Sequence, residues 1–147
     1  MKILTEAEKH CKDYGHRFTD PRCRVLEIIA RTGKPVGAYD IISAMPTGTN
    51  PPTVYRALEF WEQQGFVHRI SSLNLYAACH AEHRHEGSQY MVCGDCGRIE
   101  EVHLCHLPGT MQRKIDETGF KLARWNTELH GSCRDCQPRN VALTKIM

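Results

Sequence analysis

The chain has no apolar run approaching the roughly 20 residues that a membrane-spanning helix needs. It is therefore not expected to engage a membrane. Met1-Lys2-Ile3-Leu4 runs straight into charged residues, so the opening stretch has no signal-peptide core. Both absences point to a cytoplasmic protein. The formal net charge is only +2, too little for global basicity to announce a nucleic-acid partner. No nucleophile motif stands out, which weighs against an enzyme. At 147 residues the chain has room for one domain or two small ones.

Eight cysteines and nine histidines are what it does have. In a reducing compartment cysteines are thiols or metal ligands. Four of them form two knuckles, Cys93-Gly-Asp-Cys96 and Cys133-Arg-Asp-Cys136. A two-residue spacer lets both sulfurs of a pair turn back onto one ion, and Gly94 and Gly97 ease the first turn. Four thiolates suit a closed, structural Zn²⁺ site that staples two distant segments. The competing reading is a pair of disulfides.

The first half reads as helices and a hairpin. Leu4, Ala7, Cys11 and Tyr14 fall at helical spacing, ended by Gly15. Thr19 is a good N-cap and Pro21 suits the first turn of a helix over 21–31, with Val25, Leu26, Ile28 and Ile29 as its apolar stripe. A short third helix over about 37–45 carries Tyr39, Ile41, Ile42 and Met45. A fourth opens at Pro52 and runs to about Gln64, with Val54, Ala57, Leu58 and Trp61 inward. Phe66–Ile70 and Leu75–Ala78 read as two short strands. This order matches a winged helix-turn-helix, whose recognition helix enters the major groove of double-stranded DNA. Thr53, Tyr55 and Arg56 are the polar side chains it would present, and Tyr39 on the preceding helix could reach the same groove. An Arg can give guanine O6 and N7 two hydrogen bonds. On spacing alone, Tyr39 and Tyr55 read equally well as ordinary amphipathic aromatics.

In the second half, Tyr90–Val92 and Arg98–Val102 flank the first knuckle as antiparallel strands. A helix is expected from Pro108 to about Thr118, with Met111 and Ile115 inward. Ala123, Trp125, Thr127 and Leu129 alternate as a half-buried strand leading to the second knuckle. So small a core calls for help from zinc and from a second copy of the chain.

Pro51-Pro52-Thr53-Val54-Tyr55-Arg56-Ala57-Leu58, then Gln64-Gly65-Phe66-Val67, together with Arg17-Phe18-Thr19-Asp20-Pro21-Arg22 and the two knuckles, resembles the ferric-uptake-regulator family of dimeric, metal-dependent transcription factors. Within it the zinc-uptake regulators are most similar. The resemblance covers about residues 5–137. It implies an α+β chain: a winged-helix DNA-binding domain over 1–79, a hinge loop over 80–88, a dimerisation and zinc-binding domain over 89–137, and a tail over 138–147. It also implies that Tyr39 and Arg56 read bases.

The hinge carries the other ligand candidates. His68 lies on the first wing strand and Cys79 at the end of the wing. Glu101 lies on a strand that would pair with Tyr90–Val92. A regulatory Zn²⁺ held by His68, Cys79, His85 and Glu101 would tie wing to dimerisation domain, and the resemblance supports those positions. His83 is the substitute for His85. A thiolate in the set favours Zn²⁺ over Fe²⁺ or Mn²⁺. His103 and His106 are candidates for a further metal site, and a packed or hydrogen-bonded role is expected for His130.

The resulting expectation is a zinc-responsive repressor of zinc-uptake genes. It would bind a palindromic operator as a homodimer with one structural and one regulatory zinc per chain. The alternatives are an iron, manganese or peroxide sensor of the same family, and a zinc hydrolase. Four protein ligands at the hinge would leave a hydrolase no open metal position.

Overall fold

Thr19 accepts a hydrogen bond from the Arg22 backbone N–H at 3.4 Å, and Pro21 sits in the first turn that follows. In the computed structural model, which describes residues 1–79, 87–102 and 106–138, this cap starts the second of five helices among those residues. Helix α1 spans Lys2–Asp13, α2 Asp20–Thr32, α3 Ala38–Ala44, α4 Pro51–Gln63 and α5 Gly109–Glu117. The strands are β1 (Val36–Gly37), β2 (Val67–Ile70), β3 (Leu75–Ala78), β4 (Gly87–Cys93), β5 (Ile99–Glu101) and β6 (Trp125–Gly131). The chain divides into two compact units, Met1–His85 and Glu86–Met147, and the fold is α+β.

The first unit is built on one apolar core. Ala7 and Cys11 of α1, Val25, Leu26 and Ile29 of α2, Ile41 of α3, and Val54, Leu58 and Trp61 of α4 are buried together. Trp61 is also tied by its indole N–H, which donates to the Arg22 carbonyl at 2.8 Å. The Arg22 guanidinium in turn lies 3.6 Å from the centroid of the Phe60 ring, a cation–π contact that fixes α2 on α4. A sheet in the order β1-β3-β2 closes the unit. The short β1 was not expected: two residues give no periodicity, and only the pairing of Val36 with Tyr76 makes them a strand. Tyr14, at helical spacing with Leu4, Ala7 and Cys11, is exposed, because α1 ends at Asp13 and the chain turns at Gly15 with φ +73.

The second unit is a sheet in the order β5-β4-β6, antiparallel on one side of β4 and parallel on the other. Met111 and Leu129 are about half exposed, Ala123 is exposed, and α5 buries none of its residues. Their inward placement in the sequence reading is therefore corrected. A three-stranded sheet and one helix offer too little area to cover every apolar side chain. Trp125 and Thr127 are half-buried as the alternation suggested.

Candidate metal centre and nucleic-acid interface

Parallel pairing of β4 with β6 is what assembles the cysteine cage. The register sets Cys93 opposite Gly131, and the Gly94 N–H donates to the Gly131 carbonyl at 2.8 Å, one step past the strand end. Each knuckle then turns back on itself. The Gly97 N–H reaches the Cys93 carbonyl at 3.0 Å, with Gly97 at φ +77, a conformation that favours glycine. The Cys136 N–H reaches the Cys133 carbonyl at 3.0 Å in a single 3₁₀ turn.

As a result the sulfurs of Cys93, Cys96, Cys133 and Cys136 all lie within 4.8 Å of one another. A tetrahedral Zn²⁺ with bonds of about 2.3 Å requires sulfurs about 3.8 Å apart. The Cys96 and Cys133 sulfurs are 3.7 Å apart. That is far beyond the roughly 2.05 Å of a disulfide. The donor set and its spacing fit zinc, and the disulfide alternative does not describe these thiols.

The electrostatics of the cage are uneven. The Cys133 backbone N–H points at the Cys93 sulfur at 3.2 Å, and it pulls that thiol down to about 6, aided by the Cys96 backbone. Cys136 moves the other way. Hydrogen bonding with Cys133 and then Cys96 pushes its thiol up, since four neighbouring sulfurs cannot all ionise without a cation. A metal ion resolves that conflict by taking all four as thiolates.

The remaining candidates fall out as follows. His68 pairs with Ala77, and the Cys79 N–H donates to the Phe66 carbonyl at 2.9 Å. Positions 66 and 68 share one face of the hairpin with 77 and 79, so His68 and Cys79 are diagonal neighbours on that face. Both are buried. Glu101 pairs with Tyr90 on β5, as the sequence suggested. His80, His83, His85, His103 and Cys105 lie outside the described residues. His106 is exposed, and His130 contacts the Glu128 carboxylate at 3.1 Å, a hydrogen-bonded role as expected.

On the first unit, Tyr39 is 80% exposed and Tyr55 49%, so neither serves the core. Arg56 is exposed and Thr53 half-buried on the outer side of α4. A cleft of about 430 Å³ lies beside them, lined by His16, Arg17, Arg22, Thr53 and Arg56. Three arginines line this hollow, a basic surface suited to phosphate. Arg17 and Arg22 were legible in the sequence only as part of a motif. Their convergence on Arg56 depends on how α2 packs against α4.

A family model described as the ferric uptake regulator family matches residues 13–130. The chain belongs to the ferric uptake regulator family. The zinc uptake regulation protein of Escherichia coli (strain K12) is 33% identical over 140 residues, which is 92% of this chain and 82% of that protein. A solved zinc uptake regulator complexed with zinc and DNA aligns with a TM-score of 0.76 at 35% identity, covering 92% of this chain and 93% of that one. The crystal structure of holo XcZur aligns with a TM-score of 0.77 at 33% identity, covering 92% and 96%. Ferric uptake regulators are metal-binding, DNA-binding transcription regulators and not enzymes, so the hydrolase alternative is set aside. No helix among the described residues is long and apolar enough to cross a membrane.

Proposed function

We propose that this member of the ferric uptake regulator family is a zinc-responsive repressor of zinc-uptake genes, active in the cytoplasm as a zinc-loaded homodimer on a palindromic operator. The observation that carries the reading is the diagonal placement of His68 and Cys79 on one buried face of the wing hairpin. A buried imidazole beside a buried thiol, at the end of a DNA-binding unit, is a half-built site for a borderline-soft cation. His85, or His83 in its place, and Glu101 complete the proposed regulatory quartet. Cys93, Cys96, Cys133 and Cys136 hold the structural zinc.

In this reading residues 1–79 form the DNA-binding domain, 80–88 the hinge, 89–137 the dimerisation domain and 138–147 a tail. Thr53, Tyr55 and Arg56 of α4 contact the operator, with Tyr39 from α3. A zinc that draws ligands from both sides of the hinge binds best in one relative orientation of the domains. It therefore shifts the population toward the form that fits DNA. The half-exposed Met91 and Leu129, with α5 lacking any buried residue, supply apolar surface for the second copy. A two-fold dimer presents two recognition helices to two half-sites.

The test is DNA binding measured against buffered free Zn²⁺, with metal content determined on the same sample. About two zinc per chain, with binding switched on as the second loads, is the expected outcome. One zinc per chain, with binding driven by Fe²⁺ or Mn²⁺ instead, overturns the zinc-sensing assignment and leaves the cage standing.

A further inference from the structure

Each knuckle carries an aspartate in the same place, immediately before its second cysteine: Asp95 before Cys96 and Asp135 before Cys136. Each aspartate reaches across to the other knuckle. The Ser132 hydroxyl donates to Asp95 Oδ2 at 2.5 Å, and the Arg98 guanidinium donates to Asp135 Oδ2 at 3.0 Å. The two bridges run in opposite senses, so each knuckle supplies one carboxylate and one donor. They join the same two knuckles whose backbones are already linked by the Gly94 to Gly131 hydrogen bond.

We propose that these two bridges form a reciprocal latch, and that Asp95, Ser132, Arg98 and Asp135 are positioning residues that govern how long the structural zinc is retained. The proposal rests on the reading that the four-cysteine cage holds zinc. The physical argument is geometric. Zinc leaves a four-thiolate site stepwise: one sulfur lets go, and its knuckle must swing aside before the ion escapes or a competing ligand enters. Cys96 is the exposed residue of the four and so the natural first to go. Its neighbour Asp95 is held by Ser132 on the opposite knuckle, which keeps the detached sulfur beside the ion and favours rebinding. Asp135 and Arg98 do the same for Cys136.

Charge makes the second bridge more than a tether. Four thiolates around Zn²⁺ leave a net charge of about −2, and two aspartates beside them would add to it. Arg98 offsets that excess. Outer partners of metal ligands commonly change metal affinity by 10–100-fold. Here Asp135 is 70% and Arg98 46% exposed. An exposed ion pair is screened, so the smaller end applies. Loss of either bridge is expected to speed zinc release about threefold, and loss of both about tenfold.

The experiment uses the full-length zinc-loaded protein and follows transfer of its slowest-released zinc to a chromogenic chelator. The variants are Ser132→Ala, Asp135→Asn, the double variant of these two, Arg98→Asp, and the charge exchange Arg98→Asp with Asp135→Arg. Expected are faster release in each single variant, the fastest release in the double variant, and partial recovery in the charge exchange relative to Arg98→Asp alone. Added salt should speed wild-type release and leave Asp135→Asn nearly unaffected, because only the wild type has that ion pair to screen. A misfolded variant would respond to neither salt nor charge exchange, so those two readouts separate a latch from general damage. Variants that hold zinc and release it at the wild-type rate overturn the latch while the zinc cage stands. A wild-type protein with no slowly released zinc, or one unaltered in zinc content by Cys96→Ser, overturns the cage reading beneath it.

Discussion

Gly87→Ala tests the packing at the start of β4. A Cβ built at Gly87 would lie 2.0 Å from Trp125 Cε2, 2.2 Å from Cδ2 and 2.5 Å from Cζ2. Those atoms belong to the fused rings of the indole, which cannot flex away locally. The whole ring must leave its place over β4, although Gly87 and Trp125 are register partners in the parallel ladder. Overpacking of this kind costs about 1–3 kcal/mol. Replacing glycine within a strand recovers about 0.5–1 kcal/mol by lowering the entropy of the unfolded chain. With contacts this short the first effect lies near its upper end, so the net loss is about 1.5–2 kcal/mol. For a unit of this size that lowers the melting temperature by about 6–16 °C. The assay is thermal unfolding of the zinc-loaded protein followed by tryptophan fluorescence. Trp125 should also emit at longer wavelength in the variant as its ring meets water. Gly109→Ala is the control: nothing lies within 4 Å of its Cβ, and it sits at the start of α5, so it should be neutral or slightly stabilising. If Gly87→Ala melts at or above the wild-type temperature with unchanged emission, the close approach of Trp125 to the strand is wrong.

Four further outcomes are expected. Arg56→Ala should weaken operator binding by about 1–3 kcal/mol and relax specificity in a competition assay; equal binding of operator and random DNA by mutant and wild type would misassign α4. Cys79→Ser should keep the fold, by circular dichroism, yet lose zinc-dependent DNA binding, and unchanged zinc dependence would sink the proposed quartet. Cys93→Ser should lose one zinc per chain by elemental analysis together with dimers or solubility; a normal zinc-loaded dimer would contradict the structural role. Leu26→Ala, at a fully buried position of the first unit, should cost about 2–5 kcal/mol in denaturant unfolding, and a loss under 1 kcal/mol would mean the core there is not close-packed.

Local signals carried far in the first unit because each rests on neighbours in sequence. Thr19 and Pro21 start α2 through hydrogen bonds and sterics three residues away, and Gly33 and Gly65 end their segments by adopting positive φ. The spacing of Val54, Ala57, Leu58 and Trp61 fixes which side of α4 is buried. That leaves Tyr55 and Arg56 outside without any knowledge of the partners. The four knuckle cysteines were equally legible, since a two-residue spacer already brings two sulfurs toward one ion. The face shared by His68 and Cys79 followed once the hairpin was recognised, because strand alternation is strict.

What the chain order could not reveal depends on contacts between residues far apart along it. The two knuckles lie some 40 positions from one another, and only the parallel register of β4 with β6 brings the Cys133 N–H onto the Cys93 sulfur. The bridges of Asp95 to Ser132 and Arg98 to Asp135 follow from that same register. An aspartate in a knuckle gives no hint of its partner until the second strand is in place. Likewise the basic cleft joins Arg17 and Arg22 to Arg56 only through the packing of α2 against α4. The exposure of Met91, Met111 and Leu129 has the same origin: periodicity tells which residues prefer burial, but the area available to bury them is a property of the assembled sheet. The sequence by itself thus determined most of the elements, the four-cysteine cluster and the family, because those rest on spacing and short-range sterics. The tertiary structure alone decided which distant side chains meet, because pairing across a sheet is set by the whole fold and not by any one segment.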